Sequence, residues 1–109
     1  SILARDEVFG PVIVAIPWED EEGVIRLAND TNYGLAAYVW SKDTARAIRM
    51  VQEIEAGWVC VNYGGGQFLG QPYGGMKESG LGRELCLESI LNDYTEIKSV
   101  VVNLAMPVE

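Results

Sequence analysis

Three apolar runs in this chain lack the alternation that marks a strand with one wet face. They are Val12-Ile13-Val14-Ala15-Ile16, Leu35-Ala36-Ala37-Tyr38-Val39-Trp40 and Trp58-Val59-Cys60-Val61. A short run that is apolar on both faces and rich in β-branched and aromatic residues predicts a strand covered on both sides, as in a parallel sheet. Two amphipathic helical patterns separate the runs. Asp20 to Asn29 puts Val24, Leu27 and Ala28 on one face, with Asp20 as N-cap and acidic residues in the first turn. Asp43 to Ala56 puts Ala47, Ile48, Val51 and Ile54 on one stripe, with Gly57 as the glycine that stops it. Strand, helix, strand, helix, strand predicts an α/β fold, with a partial parallel βαβαβ layer.

The next segment, Asn62 to Gly82, holds eight of the 12 glycines and predicts a long glycine-rich loop. A third helix is expected from about Leu81 to Asp93, with Leu87, Ile90, Leu91 and Tyr94 at helical spacing. A last strand, Ser99 to Leu104, precedes a short tail. Its three consecutive valines would make an apolar sheet edge, which proteins cover or pair. A chain of 109 residues also buries only a marginal core. Both points predict an oligomer or a piece of something larger, organised as a body over 1–97 and an assembly strand and tail over 98–109.

Eight Lys and Arg against 16 Asp and Glu give a formal charge of −8. That balance argues against nucleic acid and against an anionic membrane surface as partners. No apolar run reaches transmembrane length and no basic-then-apolar leader opens the chain, so a cytoplasmic protein is expected. The absence of histidine removes the Ser-His and Cys-His nucleophile pairs and the commonest zinc ligand. Two cysteines, Cys60 and Cys86, cannot form a Cys-only zinc site and read as reduced structural thiols. No dinucleotide-binding or phosphate-loop glycine pattern is present, and Ser79 has no histidine to activate it. Composition and spacing give no catalytic constellation and no metal site.

Longer motifs carry more. Glu7-Val8-Phe9-Gly10-Pro11 resembles the Glu-x-Phe-Gly-Pro signature of NAD(P)-dependent aldehyde dehydrogenases. Pro72-Tyr73-Gly74-Gly75-Met76-Lys77-Glu78-Ser79-Gly80-Leu81-Gly82-Arg83-Glu84 resembles that family's Pro-Phe-Gly-Gly-x-Lys-x-Ser-Gly-x-Gly-Arg-Glu segment. The stretches from Asn29 to Ala37, Ala56 to Asn62 and Tyr94 to Lys98 match in the same order. The resemblance runs from about Glu7 to Leu104 and is to the C-terminal portion of the family only.

The resemblance implies a cofactor contact through Glu7 and Phe9. Glu7 would accept hydrogen bonds from the nicotinamide ribose hydroxyls, and Phe9 would pack near the nicotinamide. Tyr63, Gln67 and Phe68 fall in the family's variable substrate-pocket segment and are candidates for an aldehyde entrance. Lys77, Ser79 and Arg83 are expected to hold the loop and helix in place. The Ser99–Leu104 strand resembles the strand that pairs with a neighbouring subunit, implying a homo-oligomer or assembly with a full-length relative. The family's nucleophilic cysteine, general-base glutamate and dinucleotide-binding fold lie upstream of the region represented here. The parent would use NAD or NADP to oxidise an aldehyde to a carboxylate. The chain alone is expected to bind neither cofactor and to be inactive. The alternative expectation is a stand-alone binding or assembly module that self-associates through its last strand.

Overall fold

The computed structural model describes residues 2–105. After a 3-10 turn at Ile2–Ala4 come helix α1 (Glu21–Asn29), strands β1 (Tyr33–Gly34) and β2 (Ala36–Val39), and helix α2 (Thr44–Glu53). Strand β3 (Trp58–Val61), strand β4 (Met76–Lys77) and helix α3 (Leu87–Tyr94) follow. No helix among the described residues is long and apolar enough to cross a membrane.

Two helices start where the sequence places them. The Asp20 carboxylate accepts the Gly23 amide at 2.6 Å, Glu21 and Glu22 complement the positive end of α1, and Glu22 pairs with Arg26 at 2.7 Å. Asp43 accepts the Arg46 amide at 2.9 Å and starts α2. That helix ends at Glu53, three residues before the predicted limit, and Gly57 is not its stop. Asn29 is the reason. Its Nδ2 donates to the Glu53 carbonyl at 2.8 Å and its Oδ1 accepts the Glu55 amide at 2.9 Å, so a neighbouring helix terminates α2 from the side.

Strands β2 and β3 pair in parallel, with Ala36 opposite Trp58 and Val39 opposite Val61, and α2 packs between them as the crossover. Val39, Ala47, Ala56 and Cys60 are the buried apolar residues, and Ala47 is fully buried where α2 meets the sheet. The α/β character and one βαβ unit are therefore present, while the predicted third parallel strand is absent. Val12–Ile16 belongs to no sheet: Pro11 and Pro17 lack amide donors, the Val12 amide bonds to the Gly10 carbonyl at 2.8 Å, and Ile13 is 94% exposed. Ser99–Leu104 is likewise no strand, with Val101 95% exposed and no edge beside it among the described residues. The tail over 106–109 lies outside the described residues.

Half of the glycine-rich segment is ordered by pairing. β4 runs antiparallel to β1, with Tyr33 opposite Lys77, and Tyr73 and Glu84 exchange both backbone hydrogen bonds at 2.9 and 2.6 Å. Leu85 adopts φ +64° and gives its carbonyl to the Gly70 amide at 2.7 Å. Residues 81–86 are thus spent on turns and a bridge, which is why α3 begins at Leu87 rather than Leu81. Gly57 sits where its backbone meets Gly74, and a Cβ there would overlap the Gly74 carbonyl.

The resulting body is open. Its accessible surface is 9180 Å², against ~6000 Å² for a compact protein of this mass. Its radius of gyration is 21.4 Å, against ~13 Å for a compact chain of this length. Two outcomes are expected. Gly57→Ala should lower stability by more than ~3 kcal/mol while Gly66→Ala, which meets nothing within 4 Å, changes it by under ~0.5 kcal/mol, both read from urea denaturation. X-ray scattering on the isolated chain should give a radius of gyration well above ~13 Å, together with binding of an apolar dye.

Candidate functional site

Strand β3 ends at Val61, and the next residue turns the chain out of the sheet. Asn62 holds φ +52°, a left-handed conformation that asparagine tolerates better than most residues. Its amide continues the parallel ladder to the Val39 carbonyl at 2.9 Å. Its Oδ1 accepts the Ser41 amide at 2.9 Å and its Nδ2 donates to the Ser41 carbonyl at 2.8 Å. Tyr63 then folds back over Gly65, where a Cβ would collide with the phenol ring. The Tyr63 and Phe68 rings stack with centroids 5.7 Å apart and planes 28° apart. Together with Trp58, Cys60, Gln71 and Pro72 they line a groove of about 430 Å³ against β3. From Tyr63 to Gln71 the segment carries no charged residue, so the loop brings no formal charge to the groove.

Of the three entrance candidates, Tyr63 and Phe68 are brought together and Gln67 is not part of the groove. Glu7 lines a separate cleft of about 500 Å³ with Ala28, Thr31, Tyr33, Glu55 and Ser79. Phe9 stands 92% exposed. The Glu7 carboxylate makes no hydrogen bond among the described residues, which leaves its oxygens available to two hydroxyl donors. Both side chains are exposed.

The three motif residues with long or polar side chains hold backbone. Lys77 donates to the carbonyls of Asn29 at 2.8 Å and Thr31 at 3.1 Å and pairs with Glu55 at 2.7 Å. Ser79 accepts the Gly34 amide at 2.9 Å. Arg83 donates from Nη1 to the carbonyls of Gly75 and Gly82 at 2.8 and 2.7 Å. All three are engaged in holding backbone carbonyls or an amide. No group of three or more His, Cys, Asp or Glu side chains among the described residues could hold a metal.

Sequence reasoning singled out neither Asn62 nor Asn29. The available signal was an asparagine at a strand end and another at a helix end, positions where its side chain can replace a backbone partner. Both cysteines are free, Cys60 buried and Cys86 partly exposed at the N-cap of α3. The Ser89 hydroxyl, 3.0 Å from the Cys86 sulfur, favours the thiolate, and the Ser89 amide adds to it, holding this thiol below its ordinary pKa. Ser89→Ala should therefore raise the Cys86 pKa and slow its alkylation at neutral pH, read as the pH profile of iodoacetamide labelling with Cys60 as the protected internal reference.

Comparison with known proteins places this geometry. The profile of the aldehyde dehydrogenase family matches residues 1–100. An aldehyde dehydrogenase (tropH) of Talaromyces stipitatus is 49% identical over 102 residues, covering 94% of this chain and 20% of that protein. The crystal structure of HpcC from Thermus thermophilus superposes with a TM-score of 0.84 at 47% identity, over 97% of this chain and 20% of its own. A Mycobacterium tuberculosis aldehyde dehydrogenase complexed with NAD+ gives a TM-score of 0.83 at 40% identity, over 97% of this chain and 22% of its own. The chain therefore spans about a fifth of the length of these relatives. With motifs, fold and sequence in register along nearly its whole length, this chain belongs to the aldehyde dehydrogenase family.

Proposed function

We propose that this chain is the C-terminal part of an NAD(P)-dependent dehydrogenase that oxidises an aldehyde to a carboxylate. The observation that carries the reading is the continuous match over 94% of the chain to a fifth of an aldehyde dehydrogenase, with the Glu7–Pro11 and Pro72–Glu84 motifs both inside it. The relative solved with NAD+ supports a nicotinamide cofactor for the complete protein.

In that protein, the chain's own residues bind and orient. Glu7 holds the two ribose hydroxyls of the cofactor, and Phe9 supplies a flat apolar wall beside the nicotinamide. The bound cofactor accepts the hydride. Tyr63 and Phe68 form one side of the aldehyde entrance, and Gln67, which lies outside the groove, takes no part in it. Lys77, Ser79 and Arg83 fix the backbone between the two clefts and take no proton from the substrate. Neither cysteine is assigned as the nucleophile: Cys60 is buried in β3, and Cys86, the N-cap residue of α3, is not among the residues that line the groove.

The large apolar side chains left exposed along Val12–Ile16 and Val100–Leu104 support a further part of this reading. Both segments gain sheet partners in the complete assembly, the first from the parent chain and Ser99–Leu104 from a second subunit. The same exposed valines favour a second reading, in which the chain serves as a binding and assembly module without cofactor affinity. Solution mass and cofactor binding separate the two.

The isolated chain should produce no NADH from NAD and benzaldehyde at any concentration that keeps it dispersed, followed at 340 nm. In the complete enzyme, Glu7→Gln should raise the KM for NAD about tenfold with the protein still folded, as expected for weakening charge-assisted hydrogen bonds to two hydroxyls.

A further inference from the structure

The entrance groove depends on a residue that does not line it. We infer that Asn62 is a positioning residue for aldehyde binding: by locking the exit of β3 to Ser41, it aims the Tyr63–Phe68 aromatic pair and so sets the affinity for an uncharged, apolar aldehyde. This rests on the proposed function, since the groove is an aldehyde entrance only in that reading.

Three observations converge on it. The chain leaves β3 through a positive φ at Asn62, so the direction of the following loop is decided at this residue. Both polar atoms of its amide are engaged by one backbone unit, Ser41, which belongs to the turn between β2 and α2. A carboxamide held at both ends has one orientation, and a backbone tied to it loses the freedom that a glycine-rich loop would otherwise keep. Immediately downstream, Tyr63 lies over Gly65 and stacks on Phe68. Gly64, Gly65 and Gly66 give this pair no rigid support of their own, so the anchor at Asn62 is the fixed end from which the rings are presented.

The chemical class of the ligand follows from the lining. Two stacked rings and a charge-free segment from Tyr63 to Gln71 offer apolar and π surface. They offer no cation to pair with a carboxylated aldehyde, and their ring faces are surface on which an aryl aldehyde can stack.

The test is a double-mutant cycle in the full-length enzyme that carries this segment, with benzaldehyde as the probe and NAD saturating. Asn62→Ala should raise the benzaldehyde KM about fivefold and leave the KM for NAD where it was. Asn62→Asp, which keeps the acceptor for the Ser41 amide and tolerates positive φ, should recover part of that loss. In a Tyr63→Ala background, Asn62→Ala should add nothing further, because the rings it aims are already broken up. Equal effects of Asn62→Ala with and without Tyr63 would overturn the proposal, as would a fall in kcat with an unchanged aldehyde KM. If Asn62→Ala does not accumulate as folded protein, Asn62→Gly keeps the left-handed backbone, removes both hydrogen bonds and runs through the same cycle with the same two outcomes. An unmutated enzyme without aldehyde-dependent NADH production would overturn the proposed function and this inference together, whereas an active enzyme with additive effects would overturn the inference alone.

Discussion

The fold turns on a place where four backbone segments meet without side chains. The Gly57 amide bonds to the Gly34 carbonyl at 2.9 Å, so the parallel pair begins there. A Cβ on Gly34 would overlap the Glu55 carbonyl, one on Gly57 the Gly74 carbonyl, and one on Gly74 would lie 2.5 Å from the Gly82 carbonyl. This column lets the glycine-rich segment lie directly against the start of β3 rather than stand off by the width of a side chain. Close approach of backbones is what glycine offers here, and each contact constrains the next. Ser79, Lys77 and Arg83 then stitch the column laterally, each through a hydrogen bond to backbone.

That arrangement separates two tasks. One cleft, on the side of α1 and β1, presents Glu7; the other, against β3, presents Tyr63 and Phe68. The segment from Pro72 to Glu84 lies between them and is tied to both sides, by the Trp58–Tyr73 edge-on ring contact at 5.7 Å and by the bond between Ser79 and Gly34. The two clefts are thus tied to one intervening segment by a ring contact and a side-chain-to-backbone hydrogen bond. The small buried core, four residues centred on α2 and the parallel pair, could not do this by itself.

The contrast between predicted and observed elements has a consistent cause. Asp20 caps its helix as expected and Asp43 caps the helix expected to begin there, because capping is settled within three residues of sequence. The second helix stops early because Asn29, 24 residues away from Glu53, takes its last carbonyl. The third starts late because Glu84 pairs with Tyr73 and Leu85 with Gly70. The outer strands at Val12–Ile16 and Ser99–Leu104 have the composition of strands and no partner among the described residues, and a strand without a partner cannot close its hydrogen bonds. The candidate residues Glu7, Phe9, Tyr63, Gln67 and Phe68 were nominated from motif and loop position alone. Their grouping was not: Tyr63 and Phe68 share a groove because of a turn at Asn62, and Gln67 falls outside it.

By itself, the sequence determined the α/β class, the starts of the first two helices, the two runs that pair in parallel and the family. Each of these follows from local pattern: apolar runs without alternation, capping carboxylates, and motifs in a fixed order. Only the tertiary structure decided where helices end, which glycines touch, and which candidate residues face a common space. Those outcomes rest on hydrogen bonds between residues 10 to 50 positions apart, such as Tyr73 with Glu84, Asn62 with Ser41 and Lys77 with Asn29. A contact between distant residues leaves no period and no spacing in the chain, and it exists only once the backbone has been brought together.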